Sequence, residues 1–289
     1  MSEDFDGDWL DLREPCDAAA RDAGLAETLS RALPARPRIL DLGAGTGALL
    51  RWLGHWIGRA QAWTLVDADE ALIARAFETI ADRAEWVGWR VTWPGRKTLL
   101  VHSPAGAWRV EGLLADLGEA PDNLPLGQAD AVVSSALCDL VSASWVERMA
   151  DACAARRLPF YAALNVTGRD RLHPPHAADA LVARGFRRDQ ARNKGFGGAA
   201  LGPAAPSALR AAFEARGYAV HMAPSDWTID RRDRAMAGEL ALGRARAAMA
   251  HERRAARRIA QWLAARSAQA DEGRLAVRIG HRDVLALPP

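Results

Sequence analysis

Arg38-Ile-Leu-Asp-Leu-Gly-Ala-Gly-Thr-Gly47 begins as a short apolar strand and then turns through glycines at every second position. It gives way to a helical pattern carried by Leu49, Leu50, Leu53, Trp56 and Ile57. Glycines in such a turn let the backbone come close to a ligand, and the following helix presents unpaired N–H groups and the positive end of its dipole there. Working outward, residues 62–66 form a second apolar strand that closes on Asp67, and a helix over about 69–81 carries Leu72, Ile73 and Ile80 on one side. This is a complete βαβ unit. A carboxylate such as Asp67, at the end of its second strand, can accept two hydrogen bonds from a pair of ribose hydroxyls.

The remaining chain continues the alternation. Residues 87–93, 97–102 and 108–115 read as three strand pieces separated by Pro94-Gly95 and Pro104-Ala-Gly106, which predicts an antiparallel excursion before a third parallel strand ending at Asp116. Residues 129–134 and 159–166 read as the fourth and fifth strands around a helix at 142–157, and 207–216 and 218–223 as a further helix and strand. The expected fold is α/β: a doubly wound, mostly parallel seven-stranded sheet with an antiparallel edge strand at 275–287. A helical segment at 1–36 precedes the Rossmann-like domain at 37–289. That domain carries insertions at about 86–112 and 168–205, the second a lid over the sheet, and an Ala/Arg-rich helix at about 234–270.

Composition narrows the class. Hydrophobic residues make 49% of the 289 and charged residues 26%, an ordinary globular balance. No apolar run reaches the length of a membrane span and the acidic start is unlike a signal peptide, so the expected location is cytoplasmic. Cys16, Cys138 and Cys153 are too scattered for a disulfide framework or a zinc site, and a net charge of +2 gives no global attraction to nucleic acid.

The glycine spacing departs from the Gly-x-Gly-x-x-Gly of dinucleotide sites, and an acidic residue stands two positions before the first glycine. With Asp67, this makes residues 39 to about 163 resemble a class I S-adenosylmethionine-dependent methyltransferase. The resemblance implies S-adenosylmethionine as methyl donor and S-adenosylhomocysteine as product. It implies that Asp41, Gly43, Gly45 and Gly47 border the methionine moiety and that Asp67, with Ala68 beside it, holds the ribose. Asp116 and Leu117 would face adenine, and Ser134, Ser135 and Leu137 would line the floor beside the sulfonium. The distance between second and third strands, from Asp67 to Asp116, exceeds the family's usual spacing.

The acceptor side is less legible. In this fold the acceptor lies over the ends of the fourth and fifth strands, close to Asp139 and Asn165. His173 and His176 are candidate proton acceptors, with Asn165 grouped beside them. Lys194 and Phe196, between glycines, would grip an anionic or aromatic acceptor, and Arg13 would face a carboxylate. His173 and His176 lack a nearby third ligand, so no metal is expected. Cys138 follows Leu137 where cytosine-C5 enzymes carry Pro-Cys, and reads as a small buried residue. The expected acceptor is a small molecule, on a monomer or homodimer. An RNA acceptor met by the Arg-rich helix, or a non-catalytic regulator that binds the same cofactor, are the other readings.

Overall fold

The computed structural model describes residues 6–95 and 97–289. Polar side chains that accept backbone N–H groups start most of the early helices: Asp6 for α1 (Gly7–Ala20) and Asp22 for α2 (Ala23–Ala32). After β1 (Arg38–Leu42) the glycine turn leads into α3 (Ala48–Ile57), then β2 (Gln61–Asp67) and, capped by Asp69, α4 (Glu70–Trp86). β3 (Arg90–Gly95), β4 (Thr98–Ser103) and β5 (Gly106–Leu114) form a meander. β6 (Ala131–Ser135), α5 (Ala143–Ala154) capped by Ser142, and β7 (Phe160–Val166) follow. Then come β8 (Arg171–His173), α6 (Asp179–Gln190), α7 (Ala205–Glu214), β9 (Ala219–Pro224) and β10 (Trp227–Ile229). The chain closes through α8 (Arg234–His251), α9 (Ala256–Asp271), β11 (Ala276–Ile279) and β12 (His281–Leu287).

The large sheet has the order β3-β4-β5-β2-β1-β6-β7-β12-β9. β5, β2, β1, β6 and β7 are mutually parallel, so their carboxyl ends share one edge. Connections from β1 run outward through β2 to β5, then cross back to β6 on the other side, which makes the β1/β6 boundary the topological switch point where open α/β sheets bind ligands. Period-two alternation along β1 sends Ile39 into the core beneath α2, α3 and α4, and Leu40 and Leu42 into the core beneath α5 and α7. Asp41 therefore shares the face covered by the N-terminal helices.

Several expectations are corrected. The sheet has nine strands rather than seven, because β3 and β4 of the excursion stay hydrogen-bonded to β5 and extend the sheet. The antiparallel last strand lies second from the edge, between β7 and the outermost β9. Residues 275–287 are two strands. β11 belongs to a separate three-stranded sheet, β10-β11-β8, and β12 to the large one, with the break at Gly280, where an added Cβ would stand 2.3 Å from the Thr167 hydroxyl. The Arg-rich stretch is likewise two helices, α8 and α9. With α6 they enclose a third apolar cluster, including Leu181, Ala245, Ile259 and Trp262. Residues 168–190 of the insertion thus fold together with α8 and α9 into a largely helical appendage, while β10 and β11 add Trp227, Ile229, Val277 and Ile279 to the core beneath the N-terminal helices. No helix among the described residues is long and apolar enough to cross a membrane.

Candidate functional site

Gly43, Gly45 and Gly47 all adopt the left-handed region, at φ 66°, 52° and 77°. A Cβ on Gly45 would stand 2.9 Å from Leu10 Cδ1 of α1, and one on Gly47 3.1 Å from Ile80 Cδ1. Both conformation and space therefore demand glycine. The Gly43 and Ala44 amides donate to the Val66 carbonyl at 2.9 and 3.0 Å, which ties the loop to the end of β2. The loop walls a cavity of about 570 Å³ at the carboxyl ends of β1, β2, β5 and β6.

Among the ionisable side chains that line this cavity, Asp17, Arg21 and Asp41 are buried and Asp67 is half-buried. Both carboxylate oxygens of Asp41 are buried without a hydrogen-bond partner, and burial pushes its carboxyl up to about 8, against the opposing pull of Arg21. The Arg21 guanidinium donates one hydrogen bond, to Ser135 Oγ at 3.0 Å, and lies 3.7 Å from Asp17; its Nε and Nη1 have no partner. Asp67 is raised by burial, while backbone N–H groups pull it back: Gly45 donates to Oδ2 at 2.9 Å and Asp69 to Oδ1 at 3.1 Å. The carboxylate of Asp67 is thus fixed directly beside the glycine loop.

At the other end, Asp116 accepts from the Gly118 amide at 2.8 Å through one oxygen, so it caps a turn and also lines the cavity with Leu117. The start of α5 holds this end in place. Trp145 Nε1 donates to the Leu117 carbonyl at 2.7 Å, and Ser142 Oγ donates to the Phe196 carbonyl at 2.6 Å. Lys194 and Phe196 line the cavity here, next to Asp116 and Leu117. Helix α1 covers the amino-terminal end with Leu10, Arg13 and Asp17. It is fastened to α3 and α4 by Glu14 to Arg51 at 2.5 Å and by Asp8 and Asp11 to Arg75 at 2.7 and 2.5 Å.

The cavity brings together Arg13, Asp41, Gly43, Gly45, Asp67, Ala68, Asp116, Leu117, Ser135, Leu137, Lys194 and Phe196. Gly47 shapes the loop as the residue before α3 without lining the cavity. Ser134 turns inward to Cys138 Sγ, 3.6 Å away. Burial raises the Cys138 thiol to about 12, which makes it inert at neutral pH. The backbone carbonyl of Asp139 accepts from Gly202, and that residue does not border the cavity. Arg13 does not offer its guanidinium outward: it donates to Asp17 at 3.1 Å and stacks on the Trp227 ring at 4.9 Å. Asn165 is wholly buried at the irregular register between β7 and β12, where its amide donates to the Ala162 and Arg282 carbonyls, both at 2.9 Å.

The histidines are also displaced. His173 sits on β8 opposite Ala276 and lines a separate cavity of about 490 Å³ in the appendage. His176 Nδ1 accepts from the Ala178 amide at 3.1 Å, just before α6. Neither borders the glycine-loop cavity. Arg21, Asp17, Ser142 and Trp145 were not singled out from the sequence. Among the described residues no group of His, Cys, Asp and Glu side chains is arranged to hold a metal ion.

No protein-family model and no curated protein matches the chain. Solved structures do. One is described as a putative type II methyltransferase from Anaeromyxobacter dehalogenans: 19% identity, 93% of this chain and 97% of that one covered, TM-score 0.49. Another is an S-adenosylmethionine-dependent methyltransferase from Geobacter sulfurreducens in complex with S-adenosyl-L-homocysteine: 19% identity, 92% and 91% covered, TM-score 0.41. A cyclopropane synthase from Mycobacterium tuberculosis matches at 13% identity, 91% and 82% coverage and TM-score 0.45.

Proposed function

We propose that this chain is an S-adenosylmethionine-dependent methyltransferase acting on a small-molecule acceptor at oxygen, nitrogen or carbon. The observation that carries the reading is a pair of buried side chains with open hydrogen-bonding capacity on one cavity, both oxygens of Asp41 and two nitrogens of Arg21, whose one ion pair, to Asp17, is long at 3.7 Å. Burying a charge without a partner is costly, so such groups are expected to meet one. An α-amino acid supplies both missing partners at once, an ammonium for Asp41 and a carboxylate for the open nitrogens of Arg21. The residues present therefore fit the methionine end of the donor. Asp67 and Ala68 fit the ribose, and Asp116, Leu117 and Phe196 fit the adenine end.

When bound, S-adenosylmethionine supplies a methyl group made electrophilic by its positively charged sulfur. The chain's own residues do the positioning. The glycine loop and Asp67 fix the sugar and the amino acid, while Ser135 and Leu137 form the floor between the two ends. Helix α1 and residues 194–196 flank the cavity, and alignment with dehydration is what an in-line displacement chiefly requires. Covered at both ends and about 570 Å³ in volume, the cavity falls within the range of small-ligand sites, which supports a small acceptor over a polymer threaded through it.

Calorimetry with S-adenosylhomocysteine tests the reading. It should give saturable binding, weakened at least tenfold by Asp67→Ala. Absence of binding would remove the reading, and equal affinity in the variant would remove Asp67 from the ribose.

A further inference from the structure

Between residues 240 and 270 the chain holds seven arginines and a single acidic residue, Glu252. Two of the arginines, Arg244 and Arg266, are internal and paired with Asp170 and Asp179. The other five, Arg246, Arg253, Arg254, Arg257 and Arg258, are exposed, and among the described residues none has a carboxylate within ion-pair distance. Glu252 is already engaged by Arg184 and Arg188 of α6, at 3.0 and 2.7 Å. Four of the five arginines are grouped at the turn into α9 and its first turn.

That position does little for the helices themselves. Arg257 and Arg258 lie in the first turn of α9, where cations oppose the dipole and where there is neither a side-chain cap nor an acidic residue, while Arg253 and Arg254 follow the end of α8, where two cations gain at most a modest dipole term. What anchors α9 is Ile259 and Trp262, buried against α6 and α8. Ion pairing and packing do not explain the arginines, and a dipole term at the end of α8 accounts for at most Arg253 and Arg254. We propose that this ridge binds the phosphate backbone of a polynucleotide. Guanidinium groups form paired hydrogen bonds to phosphate oxygens, and a run of them without competing carboxylates matches a repeating anion. A lipid surface is the poorer match, because a helix lying in a membrane interface turns apolar side chains outward, and those of α9 are used internally. None of the five arginines borders the glycine-loop cavity, so the surface is separate from the proposed donor site.

The test uses the full chain, titrated by fluorescence anisotropy against a labelled mixed-sequence RNA of roughly 30 nucleotides and against phosphatidylglycerol vesicles. The expected result is RNA binding whose affinity falls with salt at a log–log slope of about −3, corresponding to about four phosphate contacts. Replacing Arg253, Arg254, Arg257 and Arg258 by alanine should weaken it at least tenfold and flatten the slope, with S-adenosylhomocysteine affinity unchanged. Replacing the same four by lysine should keep most of the binding, and Arg210→Ala with Arg274→Ala, exposed arginines elsewhere, should keep all of it. No RNA binding at about 50 mM salt, unchanged binding in the alanine variant, equal loss in the Arg210/Arg274 control, or binding to vesicles alone would each overturn the proposal.

Discussion

Both the appendage and the glycine-loop cavity bury arginine, but they treat the charge in opposite ways. In the appendage Arg266 donates to Asp179 at 2.5 Å, to the Pro174 carbonyl at 2.6 Å and to Gln269 at 2.7 Å, leaving only Nε without a partner. Arg244 likewise reaches Asp170 at 2.5 Å and stacks over Phe186. At the cavity, Arg21 makes a single hydrogen bond, to a neutral serine, with a long ion pair to Asp17 at 3.7 Å and the Trp52 ring 5.7 Å away, and Asp41 makes no hydrogen bond. A buried charge that its own chain has closed is architecture. One left open on a cavity wall is addressed to something else, and the same side chain can be either.

The comparison predicts opposite consequences for the two regions. Asp179→Ala leaves Arg266 buried and uncompensated, and should cost about 3–5 kcal/mol of stability in a denaturant titration. Arg21→Met removes a charge whose one ion pair, to Asp17, is long and whose partner Asp17 keeps Arg13. It should change stability by less than about 1 kcal/mol, yet lower the affinity for S-adenosylhomocysteine by roughly ten- to a hundredfold, the loss of a charged hydrogen bond. If Arg21→Met destabilised the chain as much as Asp179→Ala and left affinity intact, the distinction would be void.

A smaller effect follows from Asp41. Its folded carboxyl is raised from 3.8 to about 8, so the folded ligand-free chain binds the extra proton across that window. The stability this group contributes is complete below pH 3.8 and is lost as pH rises through about 8. His281 acts in the opposite sense: burial lowers it from 6.5 to about 4, so its contribution is present above pH 6.5 and lost as pH falls towards 4. The two slopes offset one another between about pH 4 and 6.5, leaving the Asp41 decline visible from 6.5 to 8. A ligand ammonium favours ionised Asp41, so the gap in melting temperature between bound and ligand-free chain should widen over that range. Asp41→Asn should abolish the widening, and a gap independent of pH would contradict the assignment. Smallest of all, His173→Ala and His176→Ala should leave donor binding and turnover within about twofold, and a large loss in either would bring the appendage histidines back into the chemistry.

How much of this was legible in the sequence depends on how local its cause is. The glycine loop and Asp67 are strand-end and turn features, written in consecutive residues, and they meet at the cavity as their spacing implies. Asp116 was readable for a similar reason, although it caps a turn as well. Arg21 was not readable, because its place beside Ser135 on the cavity wall depends on which helix face meets β1. Arg13, the arginine singled out instead, stands one helical turn before Asp17 and is satisfied within its own helix, a pairing its spacing does announce. The division of 275–287 into two strands of different sheets was hidden because both halves carry the same apolar alternation. The break falls at Gly280, whose carbonyl accepts from the amide of Thr167, a partner remote in sequence. His173 and His176 went to the appendage because β8 pairs with β11, a partnership about a hundred residues distant.

The most direct test compares S-adenosylhomocysteine with 5′-methylthioadenosine, which keeps the nucleoside and sulfur but lacks the amino acid, by calorimetry on the unmodified chain and on Arg21→Met. If Asp41 and Arg21 hold a zwitterion, loss of the amino acid should weaken binding by roughly a hundredfold or more in the unmodified chain, two charged hydrogen bonds being forfeited, and by much less in the variant. Equal affinity for the two compounds in the unmodified chain would contradict the account.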